Sequence, residues 1–494
     1  MRTVVALRSV AIVAGGYLLC ARGAYAQPPP AAPVPAPVPA PAPVRSMDVS
    51  PPGPPSPDTG VVAPPRELIE AHPGGLTGDE VARRAGATSW SAKASAETLR
   101  GAAARVDEAW AAFLPRLSGV ASYTRLSKIT PPLLVFGGQA FSFPILVDNW
   151  LLQGTITVPI SDYFLSIDQK YTAATHSQEA ARWDAISARA IAASDGRAAF
   201  YTWLRARGAI VVAVLALDDQ KTHYRDAQNQ FAVGNASKAD VLRAETSVAS
   251  AELALEQARN LADVSEKQVR VAIHAGDDVV LDPGEDLEGP LPPLEGDLKQ
   301  LTAEALHERP EIKSADANAA SARETLAATK STYYPVISAF ADGIVANPNQ
   351  RIIPPTQTTF PSWDVGAKLT WSPNDVVSTG GAVGSAEAQV AVIEANKNNV
   401  RDSINVEVTQ TWLNVHQADF SIETSGRELA SAQEAYRVAR ELFNNGRGTS
   451  TTLTDAETDL TRARLDLLNA KADARITRIR LDHALGRDAH GVTP

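Results

Sequence analysis

The sequence predicts membrane-spanning β-strands joined to long coiled-coil α-helices, built as two structural repeats in one chain. Three observations predict it. No proline interrupts the chain between Pro159 and Pro283, or between Pro373 and Pro494. Two runs of about ten residues alternate apolar and polar side chains with period two. One phrase occurs twice: FAVGNASKADVLRAETSVASAEL, Phe231 to Leu253, returns as FNNGRGTSTTLTDAETDLTRARL, Phe443 to Leu465.

The two proline-free stretches are rich in Ala, Glu, Arg, Gln and Leu, which form helix readily. Each is broken chiefly at the repeated phrase, by Gly234-Asn235-Ala236-Ser237 and by Gly446-Arg447-Gly448-Thr449. Glycine suits a left-handed C-terminal position, and Ser237 or Thr449 suits an N-cap, so each stretch reads as a helical hairpin. The arm before the turn, about Leu165–Phe231 and about Gly384–Phe443, would span on the order of 100 Å in the first copy. Gly196 and Gly208 are expected to loosen it locally, and GGAVGSA at Gly380 is expected to be a turn entering the second hairpin.

The arm after the turn carries an a/d seam. Steps of three and four from Val241 reach Ala244, Val248, Ala251, Leu255, Ala258, Ala262, Ser265, Val269 and Ala272. Adding 212 gives Leu453, Ala456, Leu460, Ala463, Leu467, Ala470, Ala474, Thr477, Leu481 and Ala484. A 3.5-residue repeat predicts left-handed supercoiling, and alanine at d predicts close side-by-side helices. Upstream, AAFLPRLSGVASY from Ala111 parallels STYYPVISAFADG from Ser331, with Pro115 matching Pro335. The repeats are expected at 67–275 and 300–487, each helix, β-hairpin, long helical hairpin, with a linker at 276–299 and a tail at 488–494.

In LLQGTITVPI, Leu152, Gly154, Ile156, Val158 and Ile160 share one face; in WDVGAKLTWS, Trp363, Val365, Ala367, Leu369 and Trp371 do. Ten residues match a tilted bilayer-spanning strand, and Trp150, Trp363 and Trp371 stand where an aromatic belt would place them. Partner strands fall at about Leu117–Lys128 and Val336–Val345, with outer loops between. Four strands cannot close a barrel, and an open edge in hydrocarbon is costly, so closure needs further copies of the chain. A soluble sheet lacks any globular partner here.

The ends set the compartment. Arg2 and Arg8, the apolar run Val10–Leu19 and the exit Ala24-Tyr25-Ala26 read as a secretory signal, 1–26, cut before Gln27. An acylated Cys20 is the alternative, disfavoured because Leu19 stands where such signals place a small residue. Cys20 is the single cysteine, so the mature chain has no thiol chemistry. Residues 27–66 form a proline-rich arm: Pro28 to Pro65 holds 16 of the 34 prolines and should be an extended spacer. Removing Arg2, Arg8 and Arg22 takes the net charge from −10 to −13, which argues against nucleic acid.

The order strand hairpin, long helical hairpin, twice over, resembles the TolC-like outer membrane efflux proteins from about Leu76 to Gly486. The turn phrases, Arg309-Pro310-Glu311 and Trp371-Ser372-Pro373 before Gly380-Gly381 carry the resemblance. It implies a homotrimer whose four strands per protomer form a 12-stranded outer membrane β-barrel above an α-helical coiled-coil barrel crossing the periplasm. It implies a passive channel in outer membrane lipid, a periplasmic adaptor, and an inner-membrane RND or ABC transporter; no cofactor or metal is implied. The turn residues Phe231, Gly234, Ser237, Asp240, Phe443, Gly446, Gly448, Thr449, Thr452 and Asp455 would form the periplasmic tip, gate and adaptor dock. Asp240 and Asp455 match aspartates of the prototype's gating links and entrance ring. Phe443, Gly448 and Thr452 replace its tyrosine, arginine and aspartate, so that latch is in doubt. As a first-turn acid, Asp240 reads equally as a helix cap.

Two other classes were weighed. The eight histidines lie without metal-ligand spacing and no Ser/His/Asp context or phosphate loop occurs, which disfavours an enzyme. A periplasmic coiled-coil scaffold explains the heptads and leaves the strands unused. Drug efflux, metal efflux and type I secretion are not separated by the sequence; copper is disfavoured because Met47 is the only methionine after the start.

Overall fold

The computed structural model describes residues 70–128, 134–141, 146–353 and 356–489. The signal, the proline-rich arm, parts of the outer loops and the end of the tail lie outside the described residues. The chain divides into a unit Met1–Gly60, outside them, and a unit Val61–Pro494 that holds everything below.

The duplication is visible in the elements. Copy one runs α1 (Gly78–Thr88), α2 (Trp90–Ala111), β1 (Arg116–Arg125), a small hairpin β2 (Leu134–Phe136) and β3 (Gln139–Phe141), β4 (Asp148–Val158), α3 (Asp168–Ala232) and α4 (Lys238–Ile273). Copy two runs α5 (Leu298–Glu308), α6 (Pro310–Lys330), β5 (Val336–Asn347), β6 (Phe360–Thr370), α7 (Asp375–Asn444) and α8 (Ser450–Leu485). The short helices α1 and α5 extend the repeat beyond the order read from sequence. A single π-helical stretch, Tyr163–Ile167, leads into α3.

Helices α3 and α7, of 65 and 70 residues, are the two rails of the molecule, each about 100 Å long. Near the strands the lateral order is α2, α3, α6, α7; in the distal half it is α4, α3, α8, α7. Each short helix thus fills the space beside a rail at one level. Both rails contain an 18-residue window apolar enough to cross a bilayer. In α3 part of that character is packing surface: Phe200, Trp203 and Leu204 are buried against Val269, Ile273 and Leu281.

The predicted seam is the buried face. Six of the seven buried residues of α4 are seam positions: Val241, Ala244, Leu255, Ala262, Ser265 and Val269. In α8 the seam is buried too, but Glu457, Ala472, Ile476 and Ile479 form a second buried face. The cause is position: α8 lies between α7 and α3, whereas α4 lies at the margin.

The glycine expectations need correction. Gly196 and Gly208 do not loosen α3; they let other helices approach. A Cβ on Gly196 would stand 2.6 Å from Ala85 Cβ, and one on Gly208 would stand 2.6 Å from Leu468 Cδ1. Nor is Gly380 a turn: α7 begins at Asp375 and runs through Gly380, Gly381 and Gly384. The helix starts at the acidic first-turn residue Asp375, just after Pro373, and the cooperative gain of a 70-residue helix absorbs about 1 kcal/mol for each glycine.

Arg309-Pro310-Glu311 is more than a helix start. Pro310 opens α6, while Arg309 is 6% exposed and donates to Glu311 (2.9 Å), Glu407 of α7 (2.8 Å) and the Ala484 carbonyl of α8 (3.3 Å). Ser187 of α3 donates to the other oxygen of Glu311 at 2.6 Å. Burial alone would lower the Arg309 pKa and raise that of Glu311; their mutual bonds reverse both. One ion cluster therefore ties α3, α6, α7 and α8 at the level where α8 ends and α6 begins.

In the segment 274–297 between the copies, Leu281 packs with α1, α3 and α4, and residues 288–292 lie as a strap across α8. Lys471 pairs with Glu288 (2.6 Å), Arg475 donates to the Gly289 carbonyl (2.7 Å) and Arg478 to the Pro292 carbonyl (3.0 Å).

Candidate membrane sheet and channel mouth

The four long strands make one antiparallel sheet in the order β1-β4-β5-β6, so the two sequence hairpins join through β4 and β5. The register aligns Leu117, Ile156, Ala341 and Val365 in one row, and Gly119, Gly154, Gly343 and Trp363 in another. Because side chains alternate across a strand, these rows belong to one face. That face also holds Leu152, Val158 and Leu369; Leu152, Ile156, Trp363, Val365 and Leu369 are exposed and Val158 half-buried. The other face carries Gln153, Thr155, Asp342, Asp364 and Lys368, with Gln153 and Thr155 donating to Asp342.

Strand β4 begins near Trp150, which pairs with Tyr123 of β1. Trp371 lies one residue beyond β6 at the opposite rim, 54% exposed, near the level of exposed Phe164 and Tyr334. From Asp148 to Val158 the strand path is about 33 Å, which at a tilt of about 40° gives roughly the 25 Å height of a lipid-facing band. Outer edges of β1 and β6 have no strand partner among the described residues.

At the far end of the rails the two turns lie against each other. Gly234 (φ +84°) and Gly446 (φ +68°) supply the left-handed residue that closes α3 and α7. Ser237 and Asp240 form a reciprocal capping box: Asp240 N–H donates to Ser237 Oγ (3.2 Å), and Ser237 N–H to Asp240 Oδ2 (3.0 Å). The Ser237 hydroxyl also donates to Asp240 Oδ2 (2.7 Å), and this bond first, with the one from Ser237 N–H, holds the Asp240 carboxyl below its ordinary range. Thr449 caps α8 through Thr452 N–H at 3.1 Å. Gln230 donates to the Asn444 carbonyl (2.9 Å) and Arg243 to Thr451 (2.9 Å), linking one turn to the other.

Phe443 is buried with Ala227, Val241, Ala244 and Leu453. A Cβ on Gly448 would stand 3.0 Å from Phe443 N, so this glycine lets α8 start tight beneath the end of α7. Phe231 is 46% exposed at the tip, with Lys238 above its ring at 6.0 Å. Asp455 is exposed; two residues on, about 200° around the helix, Glu457 points the opposite way into the α3 interface.

Sequence reasoning missed the polar chain beneath this mouth. His223 of α3 and Glu457 and Ser450 of α8 are all buried: Nδ1 of His223 is 3.0 Å from Glu457 Oε2, and Nε2 is 3.2 Å from Ser450 Oγ. The connectivity is that of a serine-histidine-acid triad, yet it is sealed under the Phe443 ring, 5.3 Å from the imidazole, and offers no surface to a substrate. Around it Arg464 of α8 pairs with Asp219 of α3 (3.0 Å), Tyr436 of α7 donates to Asp219 (3.3 Å), and Arg440 of α7 approaches Asp226 of α3 (3.9 Å). The 212-residue offset pairs Glu457 with Glu245, which is exposed on marginal α4. Only knowledge of which hairpin is enclosed distinguishes them.

Comparison with known proteins agrees with this geometry. The profile "Outer membrane efflux protein" matches residues 84–273 and 301–487, one match per copy. Among solved structures, CusC superposes with a TM-score of 0.71 at 15% identity, covering 87% of this chain and 95% of its own. The outer-membrane channel OprN gives 0.70 at 17% identity, covering 83% and 89%. The CmeC outer membrane channel of Campylobacter jejuni gives 0.68 at 16% identity, covering 84% and 89%. No curated protein matches the chain.

Proposed function

The chain belongs to the outer membrane efflux protein family, and from that premise we propose that it is the outer membrane exit duct of a tripartite efflux or export system. The carrying observation is a four-stranded sheet with one face apolar between its rims and two edges unpaired among the described residues, set at the end of helices about 100 Å long. Edges of this kind are excluded from hydrocarbon unless they pair, and three copies would close them as a 12-stranded barrel.

The lateral margins of the helical layer support the same closure. Margin α4 exposes Leu242, Leu253, Leu261, Val264 and Val271; margin α7 exposes Val392, Val406, Leu413 and Phe420. Two different apolar margins, each meeting the other kind on the next copy, make a head-to-tail contact that closes as a ring. The barrel then sits in outer membrane lipid and the helices reach through the periplasm. At the tip a periplasmic adaptor docks on the two turns, through Phe231, Gly234, Ser237, Gly446, Gly448 and Thr449, and links them to an inner-membrane RND or ABC transporter; Phe443, expected at this dock, is buried and supports the turns from within. Asp455 contributes an acidic ring at the entrance. The duct itself is passive, and the pump supplies the energy.

Purified from outer membranes, the protein should run as a heat-modifiable trimer and conduct ions in planar bilayers. Recovery as a soluble periplasmic monomer would refute the reading.

A further inference from the structure

We propose that the buried Ser450–His223–Glu457 chain is a proton-loaded clamp that locks the second hairpin, α7–α8, onto α3 and so keeps the periplasmic mouth closed. The proposal rests on the channel reading above and names a regulation of that same mouth.

Two hydrogen-bonded arrangements of the chain are possible. With His223 neutral, its Nδ1–H donates to Glu457, Ser450 O–H donates to Nε2, and the chain carries the carboxylate's negative charge. With one more proton, held between Glu457 and Nδ1, Nε2–H donates to Ser450 and the chain is net neutral. Side-chain exposures of 0% for His223 and 1% for Glu457 make the uncompensated charge expensive.

The surroundings do not supply compensation. On α3, Asp219 is answered by Arg464 of α8 and by the Tyr436 hydroxyl of α7, Asp226 by Arg440 of α7, and Gln220 beside the carboxylate is neutral. On α4, Asp240 is held in its own capping box, with Arg243 3.8 Å away and also donating to Thr451. Arg464, Arg440 and Arg243 each already face an acid. Burial accordingly pushes the Glu457 carboxyl up, against the hydrogen bond from His223 that lowers it. The folded site therefore favours the proton-loaded form.

The clamp joins the two hairpins at their most distal buried polar contact, so a mouth that opens by moving α7–α8 against α3 must break it. Proton loss as the periplasm turns alkaline strands a carboxylate between α3 and α8 and weakens the lock.

The test uses the detergent-purified full chain in planar bilayers with pH varied on the tip side only. From pH 5.5 to 8.5 the open probability of the wild type should rise about fivefold or more, a modest population shift. Glu457→Gln accepts from Nδ1–H and needs no added proton for neutrality; it should stay closed with a flat pH profile.

Wild-type pH dependence persisting in Glu457→Gln overturns the proposal, as does a flat wild type. A protein that forms no channels at any pH would sink the channel reading instead. Hydrogen exchange then judges the clamp alone: protection of α8 residues 450–457, corrected for intrinsic rates, should fall on alkalinisation in wild type and not in Glu457→Gln. Equal protection in both overturns it.

Discussion

Replacing Arg309 with methionine should loosen the joint between the two repeats, and the structure sets the size of the effect. Methionine keeps most of the aliphatic stem, so the loss is electrostatic. Stripping one partner from a fully buried ion pair costs about 3–5 kcal/mol. Here the stranded carboxylates, Glu311 and Glu407, retain 29% and 40% of their side-chain exposure, and water offsets part of the loss. The expected cost is about 2–3 kcal/mol per protomer. It should appear as a lower midpoint for thermal loss of trimer and of circular-dichroism signal at pH 7. The pH dependence follows from the depressed Glu311 carboxyl. A group whose folded pKa is lowered contributes fully above the ordinary carboxylate range and loses that contribution as pH falls through the folded value. The gap between wild type and variant should therefore shrink below about pH 4. An unchanged midpoint at pH 7, or a gap that widens in acid, refutes the account.

Further outcomes follow from particular residues. Leu460→Ala, at a side chain 1% exposed on α8, should cost about 2–4 kcal/mol by thermal unfolding, against under about 1 for the exposed Leu253→Ala in a monomeric state. Val365→Arg places a charge on the lipid-facing side near mid-strand and should reduce recovery of assembled barrel, at about 2–4 kcal/mol per protomer, measured by heat-modifiable mobility. Asp240→Ala removes the α4 capping box and should cost about 1 kcal/mol at pH 7, and less in acid where the wild-type carboxyl is itself protonated; chemical denaturation at the two pH values reads this.

The periodic parts of the fold were legible because a periodic pattern reports burial directly. The α4 seam, written from Val241 in steps of three and four, names nearly every side chain that helix buries. The strand faces were equally readable, since period two fixes which side each residue takes. What stayed hidden depends on neighbours distant in sequence. Gly208 looks like a flaw in α3 until Leu468, 260 positions later, is seen filling the space above it. Glu457 and Glu245 share a heptad position, and only the enclosure of α8 between two rails turns one into a buried acid. His223 carried no local signal, because its partners lie 227 and 234 residues away.

The strap between the copies has a bearing on what cargo would touch. It covers the side of α8 that presents Lys471, Arg475 and Arg478, and in the proposed duct that covered side would be the wall's exterior. Asp473, two residues before Arg475, faces the other way, into a groove it lines with Thr202, Arg205, Asn414, Gln417, Ser421 and Arg480. At that level a solute descending the proposed duct would meet amides, hydroxyls and the Arg205–Asp473 pair set among Ala198, Ala418, Ala470 and Ile476. A lining so mixed in character would favour no single class of passenger there, leaving that choice to whatever loads the far end.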